Sequence, residues 1–137
     1  MMIKKILTIS AAAIMLPAVL FAEDKAALMK DMAAQEAAMA SIQKALLYSS
    51  KSGVVEGVAA LKAANKVATL KDGLVNYLPN EKKALYKTAL KEGEKVNKYA
   101  DEMVKKLEAG KYEEVFTAYG KALNSCNTCH VIIRSWK

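Results

Sequence analysis

The sequence predicts an all-α protein, an up-down-up-down four-helix bundle. Three observations carry that prediction. Beyond its first 22 residues the chain is rich in Ala, Lys, Glu, Leu and Met, mostly good helix formers. Its apolar residues recur at spacings of three, four and seven, the pattern that lines one face of a helix, and no alternating strand pattern intervenes. Breaks at residues 48–53, at Pro79-Asn80 and at Gly110 divide the remainder into four segments with short connections.

The first 22 residues stand apart. Lys4 and Lys5 precede an apolar run over 6–21, and Ala22 precedes Glu23-Asp24. That is the layout of a secretory signal peptide over 1–22, followed by a domain over 23–137. Leu20 stands three residues before the expected cut, where a small residue is usual. The run is short for a membrane span, so no stable membrane insertion is expected.

Helix A is expected over residues 24–50, with Leu28, Met32, Met39, Ile42 and Leu46 on its inner stripe. Helix B covers 54–78, with Val58, Leu61, Ala64, Ala68, Val75 and Leu78 inward; Pro79 stops it. Asn80 can cap helix C over 81–109, whose inner residues are Leu85, Ala89, Val96, Ala100, Met103 and Leu107. Gly110 suits the position just past the end of that helix. Helix D covers 111–136 and aligns Tyr112, Val115, Tyr119, Ala122, Cys126, Cys129 and Ile133. Each helix would be about 37 Å long.

The chain holds 21 Lys and Arg; without Lys4 and Lys5, the 19 that remain face 14 acidic residues, a net charge of +5. Nearly all of it is lysine spread along every segment, and Arg134 is the only arginine. A nucleic-acid interface would cluster charge and use more arginine. Dispersed lysines instead suit solvated helix faces, and could steer an acidic redox partner.

Helix D carries the chemistry. Cys126-Asn-Thr-Cys129-His130 has the Cys-x-x-Cys-His spacing of c-type haem attachment. Two thiols add across the vinyl groups of one porphyrin, and the next residue offers an imidazole to the iron. On a helix, positions i, i+3 and i+4 share one face, so all three groups address one ligand. The competing readings are weaker. A thioredoxin-like pair wants a βαβ context, and a zinc site wants a fourth ligand where this chain has only these two cysteines and one histidine. A disulfide between residues three apart closes too small a loop to stabilise much. The expected cofactor is one covalent haem c, with His130 as proximal iron ligand.

A second protein ligand must come from upstream, since seven residues follow His130 and no other histidine exists. A methionine thioether is the soft donor available, and beyond the signal peptide these are Met29, Met32, Met39 and Met103. In the expected topology the end of D lies beside the start of A. His130 would sit roughly 9 Å from that end, Met29 roughly 8 Å, Met32 about 12 Å and Met39 about 22 Å, with Met103 near the far end of C. Met39 and Met103 are therefore expected in the core. Met32 shares the stripe of Leu28 and Met39, so Met29 is the expected distal ligand and Met32 its fallback. The end of B and start of C should line the haem edge, with Tyr77, Leu78, Leu85 and Tyr86 as contacts or ordinary rim. Arg134, one turn past His130, is expected near the proximal face or a propionate.

These residues resemble the cytochrome c′ family, specifically its low-spin cytochrome c-556-like branch, across essentially the whole of 23–137. The most specific parts are residues 119–134, similar to the family's last helix, and Lys25-x-x-x-Met29-x-x-Met32 followed by Met39, similar to its first. The resemblance implies a distal ligand at Met29 and core packing at Met39. It also implies a propionate contact at Lys25, where the family usually has arginine; lysine supplies charge without a bidentate fork. Helix C lacks the tryptophan the family often carries, and the B–C connection is shorter.

The expected function is a periplasmic one-electron carrier with His/Met ligation, working with an unidentified redox protein as monomer or homodimer. The alternative is five-coordinate binding or scavenging of nitric oxide or carbon monoxide. Enzymatic turnover of a peroxidase kind would want a distal acid–base group, so no enzyme is expected.

Overall fold

The computed structural model describes residues 16–134, with side chains from residue 26 onward. Most of the expected signal peptide, the Lys25 side chain and Trp136 lie outside the described residues. Among the described residues the fold is all-helical: five α-helices, two 3-10 turns and no strand. None of these helices is long and apolar enough to cross a membrane.

Helix α1 spans Leu16–Leu47, starting before the expected residue 24 and passing unbroken through residues 22–23. Pro17 lies in its first turn, where a missing N–H costs no hydrogen bond, and the Ala, Val, Leu and Phe that follow carry the helix on. Its other end closes on Ser49, which takes a φ of 55°. Ser50 N–H then donates to the Ala45 carbonyl at 2.8 Å and Ser49 N–H to that of Leu46 at 3.2 Å, covering the last carbonyls. Ser50 also opens α2 (Lys51–Ala64), its hydroxyl accepting from Gly53 N–H at 3.2 Å. Gly53, expected in the connection, is inside α2. One turn on, a side chain at Gly57 would meet Ile42 Cγ1 at 2.6 Å, so glycine lets α2 lie close along α1.

The expected helix B is interrupted. After α2 come a 3-10 turn over Val67–Thr69, α3 over Lys71–Tyr77, and a second 3-10 stretch over Asn80–Leu85. The cause is Asn65, whose exposure is 1 %. Its amide donates to the Gly93 carbonyl at 2.8 Å and to Asn97 Oδ1 at 2.9 Å, pulling the chain inward where a helix would turn it out. Gln35 donates to the Ala64 carbonyl at 3.3 Å, so the freed end of α2 is not left bare. The break rotates the stripe: Ala68 and Leu78 are buried as expected, but Leu74 takes the buried place expected of Val75.

Helix α4 (Tyr86–Glu108) starts five residues after the expected helix C, with Leu85 at its N-cap and Asn80 drawn into the 3-10 stretch instead of capping it. It buries Ala89, Val96, Ala100, Met103 and Leu107, while Leu85 is only half-buried. Gly110 ends it at a φ of 70°, with Lys111 N–H donating to the Lys106 carbonyl at 2.9 Å. Helix α5 (Tyr112–Arg134) buries Val115, Ala118 and Ala122, while Tyr112 stays half-exposed. It begins with Glu113 and Glu114 and ends on Arg134, each sign at the favourable end of the helix dipole. Helix α1 packs along α2 and α4 along α5; α2 joins the pairs through α4, and α3 bridges α1 and α4. Ile42, Leu61, Met103 and Ala118 lie at the centre of the shared core. Between α1 and α5 contact is sparse, one link being Tyr119 Oη donating to the Met39 carbonyl at 3.4 Å.

Candidate haem site

Helix α5 runs without a break through the Cys-x-x-Cys-His stretch. Hydroxyls that compete with helix structure elsewhere are absorbed here: Ser125 donates to the Lys121 carbonyl at 3.2 Å and Thr128 to that of Asn124 at 2.8 Å. Cys126, Cys129, His130 and Ile133 therefore recur on one helical face, and all four are half-buried.

Both cysteines are free thiols. Burial pushes the Cys126 thiol up from its ordinary value, and pushes Cys129 to about 11, with Cys126 and the Glu92 carboxylate adding to the rise and Arg134 opposing it. Burial lowers the His130 imidazole, and the positive charge of Arg134 lowers it further. Both effects favour the neutral imidazole, the form whose lone pair can bind a metal. Arg134 is exposed in the last turn of α5, yet its charge reaches both Cys129 and His130. From α4, buried Glu92 completes the surroundings, its carboxylate 2.7 Å from Lys95 Nζ. A polar cleft of about 380 Å³ opens between α4 and α5 beside it, lined by Glu92, Lys95, Lys121 and Thr128.

Methionines divide as their phases dictate. Met39 and Met103 are buried core residues. Met32 is half-buried, and Met29 is 49 % exposed. Met29 Sδ lies 4.0 Å from Tyr77 Oη, at the end of α3. Just beyond, Lys82 Nζ donates to the Ile132 carbonyl of α5 at 3.2 Å. The segment between α2 and α4 thus touches α1 at Met29 and α5 two residues from His130. Leu78 is fully buried within that segment, and Tyr86 lies under Lys71 Nζ at 5.5 Å.

Lys82 and Glu92 were not expected at the site. Glu92 was legible, since it falls three residues after Ala89 and four before Val96, on the buried stripe of α4. Lys82 carries no such periodic signal; its partner is a backbone carbonyl in the last described turn of another helix.

Among the described residues, no three His, Cys, Asp or Glu side chains converge to hold an ion by themselves. The donor set is compatible with a haem, which brings its own metal cage: two free thiols and an imidazole whose neutral form is favoured lie on one half-buried helical face. No family model, curated protein or solved structure matches the chain.

Proposed function

We propose that the protein is an exported one-electron carrier holding a single covalent haem c through Cys126 and Cys129, with His130 and Met29 as axial ligands. The observation that carries this reading is the unbroken α5, which keeps two free thiols and the His130 imidazole on one helical face. When bound, haem supplies reversible one-electron exchange between ferric and ferrous iron. Cys126 and Cys129 fix its position through two thioethers and leave no disulfide. His130 would offer a ring nitrogen whose unprotonated form its surroundings favour. Met29 offers a soft thioether, which favours the ferrous state more than a second imidazole would. Arg134 would be a cation for a propionate, and the resemblance gives Lys25 the same role.

In this reading α1, the broken pair α2–α3, α4 and α5 run up-down-up-down, as in the cytochrome c′ family and its c-556-like branch. The Tyr77–Met29 and Lys82–Ile132 contacts support it, since one segment reaches both Met29 on α1 and the end of α5 that carries His130. The chain would be periplasmic after loss of 1–22, leaving 23–137 as the cytochrome domain. With both axial positions filled and no second histidine in the sequence, the chain would carry electrons rather than turn over a substrate. Its lysines suit an acidic redox partner, and the reading holds for a monomer or homodimer.

The 49 % exposure of Met29 favours a second reading, in which the sixth position is open and the protein binds nitric oxide or carbon monoxide. The absorption spectrum of the reduced protein, with and without carbon monoxide, separates the two. A spectrum that carbon monoxide leaves unchanged supports the carrier; a prompt change supports gas binding. A mature chain purified from a host with haem-attachment machinery, but without the mass of one haem, overturns both.

A further inference from the structure

We propose that Tyr77 is a positioning residue for Met29 and acts as the latch of the sixth coordination position, setting how readily it opens to a small neutral gas such as carbon monoxide. This rests on the reading of Met29 as distal ligand. The Tyr77 phenol donates toward Met29 Sδ across 4.0 Å. Thioether sulfur is a weak acceptor, but Met29 is half-exposed on α1 and has little packing of its own to hold it. The phenol, by contrast, is held from behind. Leu74 and Leu78, on either side of Tyr77, are 3 % and 2 % exposed, and Leu78 N–H donates to the Leu74 carbonyl at 3.0 Å. Lys82 then ties the same segment to the Ile132 carbonyl of α5 at 3.2 Å, and its own N–H donates to the Pro79 carbonyl at 2.8 Å. The Met29 side chain is thus aimed by a hydroxyl whose carrier is anchored in the core and on the histidine-bearing helix. Without that hydroxyl the thioether is free to swing toward solvent, and the sixth position opens more often.

The test uses the full haem-loaded protein and reads carbon monoxide association with its reduced form, together with the methionine-to-iron charge-transfer band of its oxidised form. Tyr77→Phe keeps the ring and removes only the donor. Its association should be roughly twofold to tenfold faster than wild type, the net worth of one hydrogen bond, and the band should weaken. Lys82→Met should shift both readouts in the same direction by freeing the far anchor. Tyr77→Phe placed on Met29→Ala should change nothing further, because the latch has lost what it holds. If Tyr77→Phe binds carbon monoxide at the wild-type rate while Met29→Ala is fast, the latch is wrong and Met29 remains the ligand. If Tyr77→Phe adds its full effect on top of Met29→Ala, the hydroxyl acts on the pocket and the latch is again wrong. If Met29→Ala is no faster than wild type, the assignment of Met29 falls and the latch with it. Should Tyr77→Phe fail to assemble, Lys82→Met reads the same latch with every ring in place.

Discussion

From Tyr86 to Arg134 the chain makes two α-helices of 23 residues each, joined by a tight turn at Gly110. From Asn65 to Leu85 it makes one seven-residue α-helix between two 3-10 turns. The first region satisfies its backbone internally and packs one long face on another. The second borrows partners from elsewhere: Asn65 finds Gly93 and Asn97 on α4, Tyr77 finds Met29 on α1, and Lys82 finds Ile132 on α5. The proposed covalent attachment would suit the first kind of structure, because three groups must keep a fixed spacing. The proposed contact on Met29 would suit the second kind, where local opening costs least.

The sharpest way to break this contrast is to remove the groups that the rigid region presents. Cys126→Ser with Cys129→Ser should abolish covalent haem entirely while leaving the helices in place. Intact mass should show the mature chain alone, and far-ultraviolet circular dichroism should keep its helical shape. Haem retained through the acid–acetone extraction that strips non-covalent haem would overturn the assignment of both thiols.

Next in size is the seam between the two regions. A methyl group at Gly93 would lie 2.3 Å from the Ala68 carbonyl oxygen, a backbone atom that moves only if the interrupted segment moves. Gly93→Ala should therefore destabilise by about 1–3 kcal/mol, the usual cost of overpacking. Gly120, on α5, has open space where its side chain would be. Gly120→Ala should instead stabilise by about 0.5–1 kcal/mol through helix propensity. Urea midpoints measure both, and equal shifts would mean that the Ala68 contact does not constrain α4.

The same contrast explains how much could be read in advance. Helix α5, the body of α4, the end at Gly110 and the shared face of Cys126, Cys129 and His130 follow from local periodicity and spacing, which act within a turn or two of the chain; the start of α4 at Tyr86 instead of Glu81 does not. So does the core placement of Met39 and Met103. The break at Asn65 does not follow, because an asparagine inside an apolar stripe reads locally as a tolerated polar residue. Its effect depends on a carbonyl on α4, 28 residues away. Lys82 is hidden for the same reason. Gly57, inside a helix, looks like a weakness until the Ile42 side chain lies against it.

Met29 and Met32 sharpen the comparison on α1. Met29 at the apolar end of a bundle would be expected to cost a few kcal/mol on truncation. At 49 % exposure its loss should cost about 1 kcal/mol or less, since little apolar surface leaves the core. Met29→Ala should thus open the iron to carbon monoxide and lower the reduction potential of the haem-loaded protein, with almost no change in the urea midpoint of the haem-free chain. Met32→Ala, half-buried, should move the midpoint and leave the iron closed. Spectra and denaturation together check this, and an open iron in the Met32 variant would shift the ligand by one turn of α1.

The smallest effect lies at the other end of the α4–α5 pair, where Lys106 of α4 is paired with Glu114 of α5, and Lys111 Nζ sits 3.2 Å from the same carboxylate. The hydrogen bond from Lys106, then that from Lys111, holds the Glu114 carboxyl below its ordinary 4.5, while the bond to Glu114 raises Lys106 above 10.5. The sign of each contribution follows. Glu114 stabilises the fold fully above about 4.5 and stops doing so as pH falls through its lowered folded value. Lys106 stabilises fully below about 10.5 and stops doing so as pH rises through its raised value. Both side chains reach solvent, so solvent and salt screening keep the effect small. The difference in urea midpoint between wild type and Glu114→Gln should be level from about pH 5 to 10 and shrink toward acid. It should also shrink with added salt, whereas the Gly93→Ala shift, which is steric, should not. A Glu114→Gln difference that persists undiminished at low pH would mean that glutamine loses packing rather than charge.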